Sequence, residues 1–201
     1  MKKSLFALVA TLLLAACGGN KSADQSSIAT EATSQTDTVY VDTLAANHPE
    51  YLPEIPLDTI APNFTAADTL GQAISLSDFA GKYIVLDFWA TWCGDCRREV
   101  PEFKLLFDEL NGKQIQGADI QFLSYSFDRD ADKWKAFLAK EEFAWPQIST
   151  LEPNWKENVA SQAYRLHWIP AFILISPDGK VAGKAITAKG LRQVIKDEAK
   201  K

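Results

Sequence analysis

The chain has 201 residues, a length that suits one domain with extensions. Apolar residues make up 47% and charged residues 23%, a globular balance that can support a core. The formal net charge is −5 and the basic residues are scattered, so nothing in the composition argues for nucleic-acid binding.

The N-terminus has the pattern of an export signal. Lys2 and Lys3 precede a short apolar run over residues 5–16. Such a run is too short for a membrane span, which needs about 20 residues. It ends Leu14-Ala15-Ala16-Cys17, followed by Gly18-Gly19. This resembles a bacterial lipobox, which implies cleavage before Cys17 and a lipid on its sulfur. Residues 1–16 are then a lipoprotein signal peptide. Residues 17–38 are rich in Ser, Thr, Ala and Gln and read as a flexible tether. Residues 39–60 form an N-terminal arm whose structure the sequence leaves open. Val39-Tyr40-Val41 reads as a short strand, and Pro49, Pro53 and Pro56 argue against a long helix.

The domain proper spans residues 61–201. Residues 64–68 and 73–76 flank a glycine-containing turn and predict a β-hairpin. Residues 77–82 predict a turn or short helix. Residues 84–90 are apolar on both faces, which predicts a central strand. A helix follows, closed by Asn111-Gly112, with Pro101 inside it. Residues 120–127 predict a second strand. Residues 128–143 carry a helical pattern with Trp134, Phe137 and Leu138 on one face. Residues 144–148 are a strand or a loop, and 154–164 a helix. Residues 171–176 and 181–186 flank Pro177-Asp178-Gly179-Lys180 and predict a hairpin. Residues 191–200 predict a terminal helix with a solvated charged end. This order implies an α/β sandwich around a mixed sheet.

The stretch that carries chemistry is DFWATWCGDCRREVP, residues 87–101. A strand that passes directly into a helix places Cys93 at the helix N-terminus. Unpaired N–H groups and the positive end of the macrodipole favour a thiolate there, below the usual thiol pKa of about 8.5. Cys96 lies one turn on and can close a small disulfide. Thiol–disulfide exchange follows: Cys93 attacks and Cys96 resolves. With Cys17 lipidated, these are the only free thiols, too few for a disulfide framework or a structural zinc site. No metal and no cofactor beyond the redox-active pair Cys93–Cys96 is expected.

These residues resemble the thioredoxin superfamily, and within it the membrane-tethered thiol:disulfide oxidoreductases of the TlpA/ResA type in the AhpC/TSA–redoxin group. The resemblance rests on Ala61-Pro62-Asn63-Phe64, LSDFAGK at 76–82, residues 86–101, Tyr164, Ile169-Pro170 and residues 172–179. It implies a three-layer thioredoxin-like sandwich with an N-terminal β-hairpin and an inserted helical segment over residues 128–150. It implies that Cys93 is the nucleophile, Cys96 the resolving cysteine and Pro170 a cis-proline. The backbone at Ile169 then faces the sulfurs, where an extended substrate adds as a strand. Asp87 matches a buried carboxylate that exchanges protons with Cys96, because burial raises its pKa. Trp92, Gly94 and Asp95 complete the substrate-facing surface. Trp89 is read as packing. Glu99 is read as a partner of Arg98 or Lys104 and is left outside the catalytic set, and His167 is treated as an ordinary surface residue. Asp95 stands where thioredoxins carry proline. Its charge opposes a nearby thiolate and predicts a reducing pair.

The reading is therefore an extracytoplasmic, membrane-tethered protein-disulfide reductase. The resemblance implies disulfide-containing exported proteins as partners, apocytochrome c among them, and a membrane thiol electron donor of the DsbD/CcdA kind. It places the protein on the periplasmic face of the inner or outer membrane, in cytochrome c biogenesis or redox homeostasis. Two alternatives stand beside it. A peroxiredoxin-like peroxidase requires threonine three residues before the cysteine, where Ala90 stands. A non-catalytic binding lipoprotein requires an idle CxxC.

Overall fold

The structure is a computed structural model that describes residues 42–201. The lipobox, the tether and the strand expected at 39–41 lie outside the described residues. No helix among the described residues is long and apolar enough to cross a membrane.

Strand β3, Tyr83–Trp89, is buried along its whole length. Its apolar residues on both faces permit this, because it has neighbours on both edges. It pairs in parallel with β5, Ala118–Ser126, and antiparallel with β7, Ala171–Ile175. Beyond β7 lies β8, Val181–Ala185. On the other side of β5 come β6, Gln147–Ser149, then β1, Thr65–Asp68, and β2, Ala73–Ser75. The mixed sheet thus runs β2-β1-β6-β5-β3-β7-β8, with β4, Gln114–Ile115, paired to the start of β5.

Helix α2, Gly94–Leu110, and helix α5, Ala188–Glu198, cover one face of this sheet. The buried side of α2 presents Val100, Phe103, Leu106 and Phe107 at helical spacing. Burial of each contributes about 1.5–3 kcal/mol. Pro101 lies within a single continuous helix, although it removes one intrahelical donor. The other face is covered by α3, Ala131–Glu141, and α4, Val159–Ala163, together with the N-terminal arm. Trp134 and Leu138 are the buried side of α3, and Phe137 is half-buried. These layers are the sandwich that the chain order predicts.

Four expectations need correction. The helix expected over 154–164 is confined to Val159–Ala163, because Asn158 caps it, accepting from Ala160 N and Ser161 N. The helix pattern at 128–143 starts only at Ala131, where Asp130 caps it. The terminal helix starts at Ala188, three residues early, where Thr187 Oγ1 accepts from Gly190 N. Its end is not simply solvated: Glu198 is buried and accepts from Tyr83 Oη. Strand β4 was not foreseen. It turns through Gln116 and Gly117, both at positive φ, as a tight two-residue hairpin does.

The arm is built onto the domain. Helix α1, Thr43–Asn47, and a 3-10 turn, Pro49–Tyr51, open it. Lys184 on β8 donates to the carbonyls of Pro53 and Ile55. Asp58 N donates to Val181 O, and Val181 N to Thr59 O. Ile55 is buried in the core. The prolines exclude a long helix, and these bonds give the remaining backbone its partners.

Candidate active site

Helix α2 begins at Cys93, its N-cap. Cys93 Sγ accepts from Cys96 N at 3.1 Å, so the first turn directs a donor at the sulfur. Cys93 and Cys96 form a disulfide. The segment before Cys93 is fastened to the end of β5. Thr91 N and Oγ1 both donate to Asp128, Ser126 Oγ donates to the same carboxylate, and Trp92 Nε1 donates to Phe127 O. Asp128 is buried and fully engaged there, a positioning role the sequence reading missed.

The two sulfurs belong to different surroundings. Cys93 lines an open groove of about 290 Å³ with Trp92, Gly94, Asp95, Trp168 and Ile169. Its sulfur lies 3.5 Å from Ile169 O, and the Ile169–Pro170 peptide bond is cis. Cys96 is more deeply buried and faces a cavity of about 10 Å³. That is roughly the size of one water-molecule site. Asp87, Glu99 and Pro170 line the same cavity.

Asp87 is buried on β3, opposite Ser124 in the register with β5. Ser124 Oγ donates to Asp87 Oδ2 at 3.0 Å, and Trp145 Nε1 donates to Ser124 Oγ at 2.8 Å. Oδ1 has no partner. Burial pushes the carboxyl up to about 8, the Ser124 bond partly opposes this, and the nearby Glu99 charge adds to it. Glu99 is raised as well, chiefly by burial, although it accepts from Ala188 N at 2.7 Å at the start of α5. The expected pairing of Glu99 is therefore wrong. Arg98 pairs with Asp95 and Lys104 with Glu141, which leaves Glu99 directed inward beside Cys96.

The structure thus gathers Cys93, Trp92, Gly94, Asp95 and Ile169 at the groove, and Cys96, Asp87 and Pro170 at the cavity. Trp89 is buried against Phe137 and Phe143, as packing. His167 lies on the groove rim, paired with Glu54. Ser124, Trp145 and Asp128 were missed. Serines in the otherwise apolar run IQFLSYSF were the available signal for Ser124.

A disulfide-forming cysteine pair at a helix N-terminus, over a buried carboxyl and beside a cis-proline, defines a thioredoxin-fold thiol–disulfide oxidoreductase. Comparison with known proteins agrees. A model of the AhpC/TSA family matches residues 57–184, and a model of the prokaryotic membrane lipoprotein lipid attachment site matches residues 1–17. The chain belongs to the AhpC/TSA family and carries a lipoprotein attachment site ending at Cys17. It is similar to the thiol-disulfide oxidoreductase ResA of Bacillus subtilis, 28% identical over 137 residues, 68% of this chain and 70% of that one. Among solved structures it resembles the thioredoxin domain of a thiol-disulfide oxidoreductase from Bacteroides vulgatus. That match has a TM-score of 0.63 and 26% identity, over 72% of this chain and 98% of the other. A thiol-disulfide oxidoreductase from Bacteroides fragilis matches with a TM-score of 0.61 and 26% identity, over 69% and 98% of the two chains.

Proposed function

We propose that this lipid-anchored oxidoreductase works outside the cytoplasm as a reductase of disulfides in exported proteins. Cys93 thiolate attacks a substrate disulfide, and one substrate thiolate leaves as a mixed disulfide forms. Cys96, once deprotonated, attacks Cys93 Sγ and releases the second substrate thiol. Two electrons pass to the substrate, and the Cys93–Cys96 disulfide remains. The buried Asp87 carboxyl, near neutral pKa, takes or returns the Cys96 proton across the shared cavity. Trp92, Gly94, Asp95 and the Ile169 backbone receive the substrate chain, and Pro170 packs between groove and cavity. A membrane thiol donor of the DsbD/CcdA kind then restores the dithiol. The cysteine pair of an apocytochrome c, before haem attachment, is one substrate of this class, and the periplasmic face of the inner or outer membrane is the setting.

The observation that carries this reading is the placement of Cys93 in an open groove and Cys96 on the Asp87 cavity. It supports attack by the first sulfur and resolution by the second. The reducing direction rests on Asp95, whose charge its pairing with Arg98 partly offsets. The test is a Cys96→Ala variant expressed in cells that export cytochromes. It is expected to hold exported proteins as mixed disulfides on Cys93, identified by mass spectrometry. Absence of any partner would overturn the substrate class. A reduction potential of the wild-type pair near about −120 mV, that of a strong oxidant, would overturn the direction.

A further inference from the structure

Three contacts run from Tyr51 and Glu54 of the N-terminal arm to the loop that enters the cis-proline. Tyr51 stacks on Trp168 with ring centroids 4.2 Å apart and planes within 10°. Glu54 N donates to Arg165 O at 3.1 Å. Glu54 Oε1 lies 3.3 Å from His167 Nε2. Behind Tyr51, His48 continues the stack at 4.7 Å. Tyr51 and His48 fall outside the family match, which begins at residue 57. Trp168 is half-buried, two residues before Pro170, and lines the same groove as Cys93, Trp92 and Trp155.

From this arrangement we infer that Trp168 is a specificity-determining residue that binds an aromatic side chain beside the reacting cysteine of the substrate, and that Tyr51 is its positioning residue. The inference deepens the proposed function and rests on it. A peptide whose sulfur reaches Cys93 meets this groove, because Cys93 and Ile169 line it and Cys93 Sγ lies 3.5 Å from Ile169 O. Three indole rings line it, and Trp92 is 48% exposed although its Nε1–H is bonded. A groove of about 290 Å³ has room for a substrate side chain. Aromatic faces select aromatic guests through offset and edge-to-face contacts. A half-buried indole on a loop holds one orientation only if something packs behind it, and the Tyr51 ring does so.

The experiment uses the reduced full-length protein and two peptides, each with one cysteine as its mixed disulfide with thionitrobenzoate. One carries phenylalanine beside the cysteine, the other glycine. Protein dithiol and mixed disulfide give protein disulfide, peptide thiol and coloured thionitrobenzoate, so absorbance reads both the maximal rate and the half-saturating concentration. In Trp168→Ala the half-saturating concentration for the phenylalanine peptide is expected to rise roughly 5- to 10-fold. For the glycine peptide the same parameter is expected to rise by a smaller factor. Tyr51→Ala moves the same parameter the same way by a smaller factor, and Tyr51→Phe, which keeps the stack, restores it. Equal losses on both peptides, or no loss with Trp168→Ala, would overturn the inference. So would wild-type discrimination in Tyr51→Ala. Far-UV circular dichroism reports whether each variant is folded. If the wild type releases no thionitrobenzoate, the reductase reading itself fails. The groove is then decided by calorimetric titration with the phenylalanine peptide carrying serine for cysteine, where binding equal in wild type and Trp168→Ala overturns the inference.

Discussion

Replacing Asp87 with asparagine removes a carboxyl that the fold holds far from its solution behaviour. In the unfolded chain this group ionises near 3.8, and in the folded protein burial raises it to about 8. Between those values the unfolded state gives up a proton that the native state keeps. The native state therefore binds more protons, and stability falls as pH rises from the lower value to the higher. About four pH units at about 1.4 kcal/mol each cap the loss at roughly 6 kcal/mol. Relaxation around the ionised group lowers this, so about 2 kcal/mol is the least expected. Asparagine keeps the shape and an oxygen to accept from Ser124, but does not titrate. Oxidised wild type and Asp87→Asn are expected to have similar urea midpoints near pH 4. The variant should become the more stable by at least about 2 kcal/mol near pH 8.5. Urea denaturation at four pH values, read by far-UV circular dichroism, gives the difference directly. Identical pH slopes in the two proteins would refute the claim that Asp87 is a buried, proton-holding carboxyl. The same substitution should slow release of a trapped mixed disulfide if Asp87 accepts the Cys96 proton as proposed.

Three further outcomes are expected. Ser124→Ala removes the one hydrogen bond that lowers the Asp87 pKa and the acceptor for Trp145, so the pH midpoint of the stability loss should move upward, read by the same denaturation series. Asn158→Ala strips the α4 cap and the donors to Tyr125 and Thr150 at once, and should cost about 2 kcal/mol or more in chemical denaturation. Gly183→Ala would put a methyl carbon 2.1 Å from Val194 Cγ1, so the Val194 side chain must turn or β8 and α5 must part, with a loss of about 1–3 kcal/mol and a lower thermal midpoint.

Much of this was legible because the relevant signals are local. The apolar run of β3 specifies a doubly flanked strand, and the strand-to-helix passage fixes Cys93 as an N-cap whichever way the rest folds. Asp87 stood out as a charge in an apolar strand. What was not legible depends on which strand lies opposite. Ser124 matters only because the β3–β5 register sets it against Asp87, and Trp145 only because it reaches Ser124 from the far end of a loop. Glu99 misled for a related reason. Nearness in sequence offers it Arg98 and Lys104, but those side chains are taken by Asp95 and Glu141, and the start of α5 supplies an N–H for Glu99 instead. The arm was undecidable because its backbone groups are satisfied by β8, far along the chain.

The disulfide divides the site into two halves that different substitutions should separate. Cys93 meets the groove, whose walls come from the segment after β3, the loop before Pro170 and, through Tyr51, the arm. Cys96 meets a cavity whose polar walls are Asp87 and Glu99, both raised by burial. Changes at Trp168 or Tyr51 should alter which disulfide is accepted and leave resolution untouched. Changes at Asp87 or Ser124 should alter the proton at Cys96 and leave substrate choice untouched. Because Pro170 lines the cavity while Ile169 lines the groove, the peptide bond between them is where the two halves meet, and a substitution at either residue should disturb both steps together. A Pro170→Ala variant that changed only substrate preference, with mixed-disulfide resolution at the wild-type rate, would show the halves to be independent even there.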